Sequence, residues 1–74
     1  MKGRHDVCAA HVTNTRAGRV SAHREFGTAE LAAQNLVILL RFDGWPEDEE
    51  STVRRLIGGE TLGHKNFAYR VEEL

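Results

Sequence analysis

Apolar and polar positions change their period along this chain, and each change marks an element. Val7 to Thr13 is rich in small and β-branched residues and predicts a strand. Val20 to Phe26 alternates and predicts a second, with Val20, Ala22 and Phe26 on one face and Ser21, His23 and Glu25 on the other. Between them Asn14-Thr15-Arg16-Ala17-Gly18 is polar, and its glycine can take positive φ. That is the chemistry of a hairpin loop slightly longer than two residues.

The next segment has a helical period. Thr28 is placed to cap it, and Glu30 stands in the first turn, where the helix dipole favours an acid. Gly44 ends it as a left-handed residue, which predicts a helix from Ala29 to Asp43. Glu30, Gln34 and Arg41 fall on one narrow stripe with Val37 among them, and Asn35 stands apart. Leu31, Ala32, Ala33, Leu36, Ile38, Leu39, Leu40 and Phe42 fill the rest. A helix resting on a sheet needs an apolar stripe only about 100° wide. This helix has much more, so a second element or another chain must cover its back.

Trp45-Pro46 followed by Glu47, Asp48, Glu49 and Glu50 predicts a second helix start, with proline in the first turn and acids at the positive dipole end. Val53, Leu56 and Ile57 then share a face, Arg54 and Arg55 sit in the last turn, and Gly58-Gly59 ends it. A competing reading makes Ser51 to Ile57 a strand after an acidic loop, because Thr52, Val53 and Ile57 also suit a sheet. Finally Phe67, Tyr69 and Val71 alternate with Asn66, Ala68, Arg70 and Glu72, the pattern of a strand with one apolar face. The predicted order is ββααβ, or ββαββ under the competing reading. Either way the class is α+β: a small antiparallel sheet with one dominant apolar helix packed on one face.

Size changes this picture in one respect. The 74 residues make one domain, 1–74, without repeat or linker. A domain this small buries only about 60% of its unfolded surface and usually needs a staple or a partner. Cys8 is the single cysteine, so no disulfide forms within one chain. A lone thiol behind a polar N-terminus fits a reducing, cytoplasmic setting. The longest apolar run, Leu36 to Leu40, is far short of the roughly 20 residues that cross a membrane. No membrane association is expected.

Charge is unevenly placed. Residues 1 to 41 carry six Lys/Arg against three acids, a net of +3, and residues 42 to 74 carry four against eight, a net of −4. Five of those eight acids lie between Asp43 and Glu50. The chain is an electrical dipole along its sequence, which either marks two surfaces with different partners or, as is more common, is only how the solvated faces fell.

Candidate chemistry is sparse. His5, Cys8 and His11 have inviting three-residue spacing, with His23 and His64 elsewhere. On a strand, His5 and His11 share a face while Cys8 points to the other, and ligands about 2.0 to 2.3 Å from one zinc ion cannot straddle a sheet. Cys8 in mid-strand reads as packing rather than as a nucleophile. Ser21 and His23 are an i, i+2 pair without a third member, and solvated Glu47 to Glu50 offer no raised pKa for acid catalysis. Gly58-Gly59-Glu60-Thr61-Leu62-Gly63-His64-Lys65 lacks phosphate-loop spacing. No catalytic residue, metal or cofactor is expected.

Binding has more support. Trp45, ringed by Asp43, Glu47, Asp48 and Glu49, either closes the core beneath the helix end while the acids serve the helix dipole, or is a candidate hot spot that acidic steering would bring to a protein partner with a basic groove. A homodimer through the 29–42 helix would also cover that helix's back. The alternative is nucleic acid held by Arg16, Arg19 and Arg24 on the hairpin, although no aromatic residue is interleaved with them to stack bases. A partly acidic domain of this length is similar in kind to small phage-encoded inhibitors, anti-CRISPR proteins among them, which occupy a host machine's binding surface. The likeness is one of size and style, with no motif matched residue by residue. The expected function is a non-enzymatic protein-binding or inhibitor module.

Overall fold

The alternation of the first two strands forms a hairpin in the computed structural model, which describes residues 7–74. Strand β1 is Cys8–Asn14 and β2 is Arg19–Phe26. Their loop is held by the Asn14 carboxamide, whose Oδ1 accepts from the Arg16 and Ala17 amides at 3.0 Å each. Gly18, at φ 71°, then donates its amide to the Asn14 carbonyl at 2.8 Å. An asparagine side chain imitating a turn carbonyl, followed by a left-handed glycine, is why this loop closes.

Helix α1 (Ala29–Phe42) begins where Thr28 Oγ1 accepts from the Leu31 amide at 3.1 Å. At its end, Gly44 (φ 91°) donates to the Arg41 carbonyl and Trp45 to the Leu40 carbonyl. This pair of bonds is a Schellman ending, which brings the residue after the glycine back against the last turn. Helix α2 (Glu49–Ile57) starts on Asp48, whose Oδ2 accepts from the Ser51 amide at 2.9 Å. It closes the same way, Gly59 donating to Leu56 and Glu60 to Arg55. Capping at both ends decides for helix over strand between 49 and 57.

Strands β3 (Leu62–His64) and β4 (Phe67–Glu73) complete an antiparallel sheet of order β2-β1-β4-β3. The element order is therefore ββααββ, and the predicted ββααβ and ββαββ orders each differ from it. The strand missing from the first is β3. It is three residues long and centred on Gly63, so it has no side-chain alternation to read. Lys65, at φ 56°, turns it into β4.

Both helices cover one face of the sheet. Cys8, Ala10 and Val12 of β1 join Leu62 and Tyr69 on that face, beneath Ala32, Ala33, Leu36, Val37, Leu40 and Leu56. Val37, which falls among polar residues on the helical wheel, is 1% exposed because α2 packs along that flank. Thr52 and Leu56 of α2 are fully buried, Val53 is half-buried and Ile57 remains 47% exposed. So α1 shares the sheet face with α2.

The register corrects one expectation. A bulge between Val12 and Thr13 pairs Val12 with Ala22 but Thr13 with Val20. Val20 thereby leaves the face that carries Ala22 and Phe26. Cys8 and His11 lie on opposite faces as the alternation requires, and His5 lies outside the described residues. Among the described residues, no helix is long and apolar enough to cross a membrane.

Cys8 is 3% exposed among core residues. Replacing it by Ala is expected to cost about 1 kcal/mol, the value of a small buried group. Urea unfolding checks this: a loss above about 3 kcal/mol would mean that the thiol does more than pack.

Candidate functional site

Trp45 and its acids are predicted as a binding surface, and the structure gives most of them internal partners. The Schellman turn folds Trp45 against the core, where it is half-buried. Its Nε1 donates to Thr52 Oγ1 at 2.9 Å, and that hydroxyl donates to the Asp48 carbonyl at 2.7 Å. The indole meets the His64 ring edge-on at 5.5 Å, and His64 Nε2 donates to the Asp43 carbonyl at 2.9 Å. One aromatic side chain thus ties the α1 ending to α2 and to β3.

The acids are engaged as well. Glu47 meets Arg55 at 2.6 Å, Glu49 meets Arg41 at 3.7 Å, Glu50 meets Arg54 at 3.6 Å and Asp43 meets Lys65 at 3.6 Å. Hydrogen bonds that Arg55 donates to Glu47, then to Glu60, raise its pKa. Asp48 is held below its ordinary value of 3.8, chiefly by the Ser51 backbone amide. Little of this negative charge is left uncompensated for steering.

Exposed apolar surface lies instead on α1. Phe42 is 92% exposed, Ile38 66%, Leu31 50% and Leu39 40%. Leu31 and Ile38 fall on one stripe that points away from the sheet, because α2 packs beside α1 rather than over it, and Phe42 stands at its C-terminal end. At the C-terminal end, Leu39, Phe42 and Asp43 face Val12, Ser21, Ala22, Phe67 and Tyr69 across a groove of about 250 Å³. The bulge delivers Ser21 to this groove, while His23 stays paired with His11 on the opposite face. Ser21 and His23 therefore do not meet. Burial first, and the Asp43 charge second, raise the Tyr69 pKa at the groove floor.

The rim of the groove is β2, the edge strand, and all its residues but Phe26 are exposed. Arg24 stands over the Phe26 ring at 5.5 Å. Among the described residues, Arg16, Arg19 and Arg24 form no ion pair, unlike the cations of the second half. The sequence reading missed Phe42, Leu39 and Ile38 as site residues. Their signal was the excess of apolar positions on α1, and only the placement of α2 shows which of them stay uncovered.

The other face of the sheet brings together His11, His23 and Glu72, while Cys8 lies in the core. Comparison of the chain with protein-family models, curated protein sequences and solved structures finds no match in any of the three.

Two predictions test the Trp45 network. Trp45→Phe keeps an aromatic ring, though a smaller one, but leaves Thr52 without its indole donor, and should cost at least about 1 kcal/mol in urea unfolding. An unchanged midpoint would mean the bond is idle. Asp48, with its depressed pKa, contributes stability that is present above its unfolded value and lost as pH falls through the lower folded value. The advantage of the wild type over Asp48→Asn in thermal midpoint should therefore shrink below pH 3.8. A constant difference across that window would rule out the charged cap as its source.

Proposed function

We propose that this protein is a non-enzymatic protein-binding module that takes an extended segment of its partner along the β2 edge. The segment would pair with the unpaired backbone of β2 and set apolar side chains against Phe42, Leu39 and the groove. Strand addition of this kind draws affinity from main-chain bonds and specificity from pockets for alternate side chains. One observation carries the reading: a 92%-exposed phenylalanine at the mouth of an apolar groove beside a strand edge that is unpaired among the described residues. Such a combination is an aggregation hazard in a protein that leaves it empty.

Arg19 and Arg24, without acids of their own among the described residues, favour a segment whose apolar positions are flanked by Asp or Glu. Asp43 lines the groove and belongs to the contact. Trp45, Glu47, Asp48 and Glu49 act from behind it, holding the end of α1 in place. An inhibitory role follows where the captured segment is one the partner needs.

The experiment is capture from the native host, identification of the partner and reconstitution with purified components. Phe42→Ala should weaken the complex about 30-fold or more, the loss of roughly 2 kcal/mol expected of a hot spot. Arg19→Glu with Arg24→Glu should slow association and reduce its salt dependence. Light scattering gives the first contrary outcome, a dimer dispersed by Phe42→Asp, which would assign the groove to a second copy. Binding of generic DNA or RNA that is lost in Arg16→Glu with Arg19→Glu, yet unchanged in Phe42→Ala, would make the basic hairpin the working surface.

A further inference from the structure

We infer that His11, His23 and Glu72 form a three-ligand site for a divalent transition metal, with Zn(II) the expected occupant. The site lies on the sheet face away from the helices, so it stands or falls independently of the groove. The three residues come from three adjacent strands. His11 on β1 is the cross-strand partner of His23 on β2. Glu72 is on β4, the other neighbour of β1, where it pairs with Ala9 and so sits one step diagonally from His11. Sheet hydrogen bonding sets all three backbones, and the small side chain of Ala9 lets the carboxylate lie over it.

The spacing suits coordination. One ligand atom from each residue lies within 4.8 Å of the others. Both imidazoles approach the same oxygen: His11 Nδ1 is 3.4 Å and His23 Nε2 3.3 Å from Glu72 Oε1. In a tetrahedral zinc site with bonds of about 2.0–2.1 Å, adjacent ligand atoms are roughly 3.3–3.4 Å apart. Two edges of that tetrahedron are therefore already in place, and rotation of the exposed His23 ring closes the third. Arg70 Nη2 lies 3.8 Å from Glu72 Oε2, so it orients the carboxylate from the oxygen that the metal does not need.

A second observation points to a ligand. His11 Nδ1 is buried and has no hydrogen-bond partner, because its contact with Glu72 lacks the alignment of a bond. A buried polar atom left in this state is costly and calls for an explanation. A metal ion accepting the nitrogen lone pair supplies one. The side chains of His11, Glu72 and His23 are 13%, 32% and 37% exposed, so the set is anchored on one side and open to solvent on the other. A fourth, water-filled position follows. Two imidazoles and one carboxylate select zinc and its transition-metal neighbours over magnesium or calcium, which prefer all-oxygen sites. Occupied, the site would tie the edge strand β2 to β1 and β4, in a chain whose one cysteine allows no internal disulfide.

The test is titration of the metal-free full chain with Zn(II) at neutral pH by calorimetry, with the imidazole nitrogens followed by NMR. One zinc per chain is expected, with large shifts at His11 Nδ1 and His23 Nε2 and none at His64. The thermal midpoint should rise with zinc and return with EDTA. Glu72→Gln and His23→Ala, both at partly exposed positions, should each weaken binding tenfold or more while circular dichroism stays native. Absence of binding at 100-fold excess zinc over chain, or binding that leaves the His11 and His23 nitrogens unshifted, would overturn the site. The NMR readout on the wild type decides even if a variant fails to fold.

Discussion

The structure depends on a central strand made of small residues. Cys8 and Ala10 are each 3% exposed or less, and Val12 is the only bulkier apolar side chain that β1 adds to the core. A strand this slight lets a helix approach closely, and Ala32 and Ala33 on α1 match it. The larger volume comes from above and from the flank: Leu36, Leu40 and Leu56 are fully buried, with Leu62 and Tyr69 completing the layer. Among the described residues, the core is one thin apolar layer between sheet and helices.

A thin layer leaves little for a second helix to do except widen the cover. Helix α2 lies on the Val37 flank, and Trp45 wedges the junction through its bond to Thr52. The opposite flank of α1, toward β2, receives nothing comparable. Uneven cover is thus the origin of the groove: the same packing that hides Val37 exposes Phe42, Leu39 and Ile38. The ion pairs of the acidic segment belong to this arrangement, since Arg41–Glu49 and Arg55–Glu47 hold α2 against α1 and the loop before it. Each is exposed and individually weak, so together they orient more than they stabilise.

The two faces of the sheet consequently carry different chemistry on one set of strands. Alternation sends Val12 and Tyr69 to the groove side and His11 and Glu72 to the other. The bulge at Val12/Thr13 permits β2 to serve both, supplying Ser21 and Ala22 to the groove and His23 to the open face. Strand β2 is therefore the element that the proposed partner and the proposed metal would both touch, from opposite sides.

Local chemistry by itself determined most of the secondary structure. Thr28, Asp48, Gly44 and Gly59 set helix ends because caps and left-handed turns act within a few residues. Asn14 and Gly18 set the hairpin for the same reason. The α+β class and the antiparallel sheet were legible too, but the three residues around Gly63 were too short to show a period. What only the tertiary structure decided was which surfaces remain. The helical wheel placed Val37 among polar residues and Phe42 among apolar ones, yet packing reverses their exposure, because α2 chose one flank. Trp45 reads in sequence equally as a hot spot or as a closure of the core, and only the fold sets Thr52 at 2.9 Å from its nitrogen. His11, His23 and Glu72 are separated by up to 61 positions in the chain, and no spacing rule links them. Their meeting required the register of two strand pairs at once, and register is a property of the assembled sheet.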